Sequence, residues 1–246
     1  MDADKSEILK RRVQDAMRLC EKYAAPRFTG FLDEAEQAFL GDGFSGGMYF
    51  GGTKNAKRRV LGFFPDWQEP CGEDFPISCV KISNRAAREL SHRDYLGTVM
   101  SLGIDRSKIG DINIDGSCAY MFVISDIARH IADNITKIAN CGVSCNIIPV
   151  SEAPEYEERA AYTDTVAASM RLDACVAAAF ALSRKNAAEL ISQGRVEVNH
   201  IACEKPAREL CAGDLMSVRG FGRAEIAAVG GDTRSGRQHI TIKKFI

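Results

Sequence analysis

The segment Ser183-Arg184-Lys185-Asn186-Ala187-Ala188-Glu189-Leu190-Ile191-Ser192-Gln193-Gly194 carries a charge arrangement that calls for a ligand. Ser183 is a suitable helix N-cap, because its hydroxyl can accept a hydrogen bond from an orphan backbone N–H. Gly194 is a suitable stop in the left-handed region. Ala187, Leu190 and Ile191 supply the core face between them. The first turn of a helix favours Asp or Glu, since the aligned peptide dipoles make that end positive. Arg184 and Lys185 stand there instead, adding like charge to like at a cost of about 0.3–1 kcal/mol each on a surface. A phosphate docked at this end reverses the sign, because free N–H groups, the dipole and two cations then converge on it. The alternative is that both side chains splay into water.

Other constellations offer less chemistry. Cys141 and Cys145 are spaced as zinc ligands can be, but no second Cys/His pair follows at a suitable distance, so buried thiols and no metal are expected. Gly46-Gly47 and Gly51-Gly52 lack the Gly-Lys-Ser/Thr ending of a phosphate loop. Gly220-Phe221-Gly222 reads as a hairpin tip. The four His are far apart in sequence, and no catalytic residue and no cofactor are expected. Nine Cys without framework spacing read as reduced thiols, which points to a cytoplasmic protein.

The elements that must position these residues belong to a folded chain. At 246 residues, 46% hydrophobic and 26% charged, with 7 Pro, the sequence excludes long disorder, collagen-like structure and a coiled-coil rod. It suffices for two or three modest domains. The longest apolar run, Ala174–Leu182, is short of the ~20 residues of a membrane span, so no membrane partner is expected. The acidic, polar start Met1-Asp2-Ala3-Asp4-Lys5-Ser6 is unlike a secretion signal. The net charge of −1 hides an asymmetry: residues 165–246 hold 12 basic and 8 acidic side chains, and residues 1–164 hold 20 and 25. A basic tail on an acidic body suits an anionic partner, although a solvated surface would read the same.

Residues 1–70 read as a small α+β domain. A helix over 6–24 and a second over Phe31–Leu40 precede strands at Met48–Phe50 and Val60–Phe64, and Pro65, Pro70 and Gly72 mark a boundary. Residues 75–150 read as strand Ile77–Ile82, helix Ser91–Leu102, strands Ile109–Ile114 and Cys118–Ile124, helix Asp126–Ala139 and strand Cys145–Val150. That is the β-α-β-β-α-β order of a ferredoxin-like domain, shared by many RNA-recognition modules. The acidic, Pro-containing residues 151–164 read as a linker. Residues 165–246 open with helices over 170–181 and 183–193, followed by strands near 196–198, 215–218, 224–229 and 239–243. The fold class is α+β.

The stretch from Met170 to Val218 resembles the S-four type of RNA-binding domain, named after a ribosomal protein of the small subunit. The residues that carry the resemblance are Arg171-Leu172-Asp173, Ser183-Arg184, Ala187, Ile191, Gly194-Arg195-Val196, Val198-Asn199, Lys205-Pro206 and Gly213-Asp214. It implies a small basic platform for structured RNA, with Arg171, Ser183, Arg184, Lys185, Arg195, Asn199 and Lys205 facing the nucleic acid. Upstream, Ser91-His92-Arg93-Asp94-Tyr95-Leu96-Gly97, Leu102-Gly103-Ile104 and Lys108-Ile109-Gly110-Asp111-Ile112 resemble the middle domain of the YlmH family. The resemblance covers nearly the whole chain and is weakest over 1–70. It implies a non-enzymatic protein that binds ribosomal RNA on the large ribosomal subunit and helps to rescue stalled subunits carrying peptidyl-tRNA. RNA is then the expected partner (rRNA, with tRNA as a candidate), and DNA is not.

Ser117-Cys118-Ala119-Tyr120-Met121-Phe122-Val123 lacks the basic-Gly start of the RNA-recognition strand motif. Tyr120 and Phe122 share a face by the two-residue period, and either stack on bases or, the reading favoured here, pack in a core. His92-Arg93-Asp94 reads equally as a second RNA contact and as a helix-start ion pair. The competing function is an RNA-modifying enzyme, a pseudouridine synthase or rRNA methyltransferase targeted by its S-four domain. The string Arg171-Leu172-Asp173 occurs in pseudouridine synthases, but here it opens the S-four helix. Such enzymes place this domain before a large catalytic one, whereas here it comes last.

Overall fold

The side chains around Pro26 and Asp33 set the first elements of the computed structural model, which describes residues 3–41, 46–85, 88–155, 160–233 and 236–245. α1 (Ala3–Tyr23) stops where Ala24 turns left-handed before Pro26. The apolar run that follows is extended as β1 (Arg27–Leu32), and α2 (Glu34–Leu40) starts only after Asp33. The Asp33 carboxylate accepts from the Glu36 N–H at 2.9 Å, and the Glu36 carboxylate accepts from the Asp33 N–H at 2.8 Å. This reciprocal cap fixes the helix start and corrects the expected helix over 31–40: Phe31 and Leu32 belong to the strand. β2 (Gly47–Phe50) and β3 (Arg59–Phe63) complete an antiparallel sheet of order β1-β3-β2.

The ferredoxin-like order follows as β4 (Ile77–Asn84), α3 (His92–Ser101), β5 (Ile109–Asp115), β6 (Cys118–Ile124), α4 (Ser125–Asn134) and, after a short β7 (Lys137–Ile138), β8 (Cys141–Ile148). The sheet runs β5-β6-β4-β8-β7 with antiparallel neighbours. α4 ends five residues earlier than its apolar periodicity predicts. Ala139 and Asn140 both take positive φ, at 41° and 70°, and make the two-residue turn between β7 and β8. Such a turn suits the twist of a hairpin.

Alternation along β4 and β6 splits the apolar residues between two faces. Val80, Ile82, Met121 and Val123 pack beneath Tyr95 and Val99 of α3 and Ala128 and Ile131 of α4. On the opposite face Ile77, Cys79 and Phe122 are buried against Phe31, Val60 and Phe75. Phe75 is the hub, with ring centroids 5.3–5.5 Å from Phe28, Phe50 and Phe64. The expected boundary between 1–70 and 75–150 is therefore crossed by a shared core. Arg58 adds polar ties, donating from its guanidinium to the Phe31 and Ile109 carbonyls at 3.0 Å each. Met1–Tyr156 forms one compact unit.

Glu157–Ile246 forms the other. It comprises β9 (Ala160–Ala167), α5 (Leu172–Phe180), α6 (Arg184–Ser192), β10 (Val196–Val198), β11 (Ile201–Ala202), β12 (Leu215–Val218), β13 (Gly222–Asp232) and β14 (Gln238–Phe245). The sheet order is β11-β10-β12-β13-β14-β9. β9 corrects the expected linker over 151–164, because residues 160–164 already pair with β14, from Ala160↔Phe245 onward. Tyr162, Thr163, Thr165 and Val166 suit a strand, and the Thr241 hydroxyl donates to the Asp164 carboxylate at 2.6 Å. Leu172, Cys175, Val176, Ala187 and Ile191 of the helices close over Val196, Val198, Met216, Ala224, Ile226, Ile240 and Ile242. No helix among the described residues is long and apolar enough to cross a membrane.

Candidate nucleic-acid interface

Ser183 caps α6 with its hydroxyl, which accepts from the Asn186 N–H at 3.1 Å. Ala187, Leu190 and Ile191 face inward. The last turn closes through Gly194 N–H to the Ile191 carbonyl and Arg195 N–H to the Leu190 carbonyl, each at 3.0 Å. Arg184 and Lys185 occupy the first turn, which holds no acid, whereas α2, α3, α4 and α5 carry Glu34 and Glu36, Asp94, Asp126 and Asp173 at the same place. Both cations are exposed.

Asp173, in the first turn of α5, organises the neighbouring arginines. Arg184 Nη2 lies 2.9 Å from Asp173 Oδ2, and Arg171 donates to the same carboxylate from Nε at 3.2 Å and from Nη2 at 3.3 Å. The Asp173 side chain is only 8% exposed, against 43% for Arg171 and 51% for Arg184. Burial by itself raises the Asp173 pKa, but hydrogen bonds from Arg171 and Arg184, together with their charges, outweigh it and hold the carboxyl below the usual range. One carboxylate thus aligns two guanidinium groups, and with Lys185 beside them the tip keeps a positive excess. Arg171, at the N-cap of α5, makes no side-chain cap. The first amides of that helix donate instead to the 205–210 loop: Leu172 N–H to the Arg208 carbonyl at 2.8 Å, and Asp173 N–H to the Pro206 carbonyl at 3.1 Å. This draws the loop carrying the exposed Lys205 up against Arg171.

The structure therefore gathers Arg171, Ser183, Arg184, Lys185 and the Lys205 loop at one end of the helix pair. Arg195 and Asn199 lie apart from that group and do different work. Arg195 Nη2 donates to the Arg219 carbonyl at 3.0 Å. Asn199, expected to face RNA, is a turn residue: with His200 it takes positive φ, 51° and 65°, between Val198 and Ile201, which pair as β10 and β11. Its amide donates to Asp214 at 2.7 Å, and its side-chain oxygen accepts from the Leu215 N–H at 2.9 Å. Both ends of the side chain are thus committed to the fold. Sequence reasoning missed the part of Asp173 as the hub, although the Arg171-x-Asp173 spacing at a helix start was visible.

The second expected surface divides as well. Phe122 is fully buried and cannot stack on a base, because the aromatic cluster around Phe75 covers its face of the sheet. Tyr120, one step along the same face, is half-buried with Lys81 Nζ 5.7 Å from its ring centroid. Asp94 accepts from the Ser91 N–H and hydroxyl at 2.8 and 2.7 Å, so it caps α3, and the helix-start ion pair with Arg93 is not formed. Arg93 is exposed. Burial of the His92 ring, then the positive charge of Arg106, depress its pKa against the opposing pull of Asp111. Cys145 donates to the Ile135 carbonyl at 3.3 Å, and no group of three or more His, Cys, Asp or Glu among the described residues could hold a metal ion.

A ferredoxin-like domain followed by a helix pair with a cationic tip on an antiparallel sheet defines the class: a protein built on RNA-binding domains. Comparison with known families agrees. Residues 70–152 match the family described as "Putative RNA-binding domain in YlmH", and residues 170–215 match the S4 domain. The chain is 30% identical over 241 residues to the "Ribosome-associated protein quality control protein P2" of Bacillus subtilis (strain 168), covering 96% of this chain and 91% of that protein. The solved structure titled "Cell division protein ylmH from Streptococcus pneumoniae" superposes with a TM-score of 0.51 at 24% identity, covering 62% of this chain and 96% of that one. The chain belongs to the YlmH family.

Proposed function

We propose that this protein binds ribosomal RNA on the large ribosomal subunit and acts there, without catalysing a reaction, in the rescue of stalled subunits that carry peptidyl-tRNA. It works in the cytoplasm, with tRNA as a second contact. The observation that carries the reading is the pair of guanidinium groups aligned by Asp173 beside Lys185 at the tip of α6. Planar guanidinium groups and helix amides are the groups that grip phosphate oxygens and set register on a folded nucleic acid. The name of the Bacillus subtilis relative supports the ribosomal setting. The modifying-enzyme reading fits the geometry less well, because both oxygens of Asp173 already accept from arginines and the carboxylate is not poised to attack a base.

Sedimentation of cell extract on a gradient tests the proposal. Wild-type protein should travel with free large subunits, and the variant with Arg184 and Lys185 both changed to Ala should stay near the top. Uridine isomerisation or methyl transfer on ribosomal RNA that disappears in Asp173→Ala would instead establish the enzyme.

A further inference from the structure

The aromatic tip of the β12–β13 hairpin lies against the carboxyl end of α5 and beside Arg195, whose Nη2 donates to the Arg219 carbonyl at 3.0 Å. Val218 pairs with Gly222 across the turn, and the Phe221 N–H donates to the Val218 carbonyl at 2.9 Å. Gly220 and Gly222 both have positive φ, 91° and 105°, which L side chains rarely adopt, so the turn presents Phe221 between two glycines, with the exposed Arg219 before them. Phe221 is 42% exposed. It stands edge-on to Phe180, with centroids 6.3 Å apart and planes at 66°. Phe180 is the last residue of α5 and precedes Arg184 by four positions. The exposed Lys244 places its Nζ 5.4 Å from the Phe180 centroid.

An open aromatic residue on a turn held by Arg195, packed on a second ring that carries Lys244, is the combination that single-stranded nucleic acid uses, with bases on the ring and backbone on the charges. A purely apolar protein partner would leave Lys244 and Arg195 without counter-charge, so charge complementarity selects RNA. Resting on the RNA-binding reading above, we propose that Phe221 is a stacking platform for an unpaired base of the bound RNA. Arg195 and Lys244 hold the adjoining phosphates, and the protein thereby prefers a loop or bulge to a continuous duplex.

The test uses the full chain and two RNA probes of equal phosphate count, a hairpin with a single-stranded loop and a blunt duplex. Phe221→Leu keeps apolar contact with Phe180 and removes the ring. It should weaken binding of the hairpin by about 5- to 150-fold, the range expected for losing one stacked base, and leave duplex binding and its salt dependence unchanged. Phe221→Trp, made together with Trp67→Phe so that it is the only indole, should bind the hairpin as wild type does, with its emission quenched on binding. Equal affinity of wild type and Phe221→Leu for the hairpin, or an equal loss on both probes, would overturn the platform while leaving the RNA-binding reading intact. Failure of the wild type to bind either probe would overturn both.

Discussion

Asp173 and Arg184 stand eleven residues apart in the chain, yet their side chains meet at 2.9 Å across the turn between α5 and α6. The contact fixes the direction of a guanidinium group that would otherwise sample many rotamers. Because Arg171 shares the same carboxylate, the acid orients both arginines without cancelling their charge. A carboxylate at the tip is thus compatible with an anionic ligand, provided that cations outnumber it.

The first expected outcome concerns salt. Changing Arg184 and Lys185 together to Ala should weaken RNA binding and flatten the dependence of log affinity on log salt by about 1.4–1.8, the value for two lost phosphate contacts. A titration of affinity against salt concentration measures it. An unchanged slope places both side chains outside the interface.

Asp173→Asn should cost the C-terminal unit about 1–2 kcal/mol at neutral pH, for the loss of hydrogen bonds between charged groups that solvent partly screens. Folding lowers the pKa of Asp173. Its stabilisation is therefore in full force above the unfolded value of about 3.9 and is lost as pH falls through the lower folded value. Thermal unfolding of wild type and variant should differ at pH 7 and converge in acid. A gap that persists at the acidic end would assign the effect to packing.

Asn199→Ala should destabilise the same unit by about 1–3 kcal/mol, since a side chain that bridges Asp214 and the Leu215 amide is removed from a left-handed position. RNA affinity of the folded variant, compared at one salt concentration, should equal that of wild type. A weaker affinity would return Asn199 to the interface.

Gly52→Ala should lower the unfolding temperature of the first unit, at a cost of about 1–3 kcal/mol from overpacking. Gly52 has φ of 97°, and a Cβ there would run into the Phe122 ring. A variant as stable as wild type would show that the loop can move off Phe122.

What was legible in the sequence was local. The Ser183 cap, the inward Ala187, Leu190 and Ile191, and the β-α-β-β-α-β order from Ile77 to Val150 follow from short-range rules, and the structure repeats them apart from β7, which takes the place of the expected last turn of α4. What escaped depends on pairing over distance. β9 was hidden because an acidic, Pro-containing start resembles a linker, and only β14, some eighty residues downstream, makes it a strand. The tie from Asn199 to Asp214 was not legible because nothing nearby in the sequence announces that partner. Phe122 could be read either as base platform or as core, and Phe31 and Phe75, remote in sequence, settle it.

That cover has a practical corollary. Severing the chain in the Pro65–Pro70 stretch would leave Ile77, Cys79 and Phe122 as a bare greasy plate on the remaining piece. The segment recognised as a family in its own right, 70–152, is then half of a folding unit, and its solubility is borrowed from the residues before it.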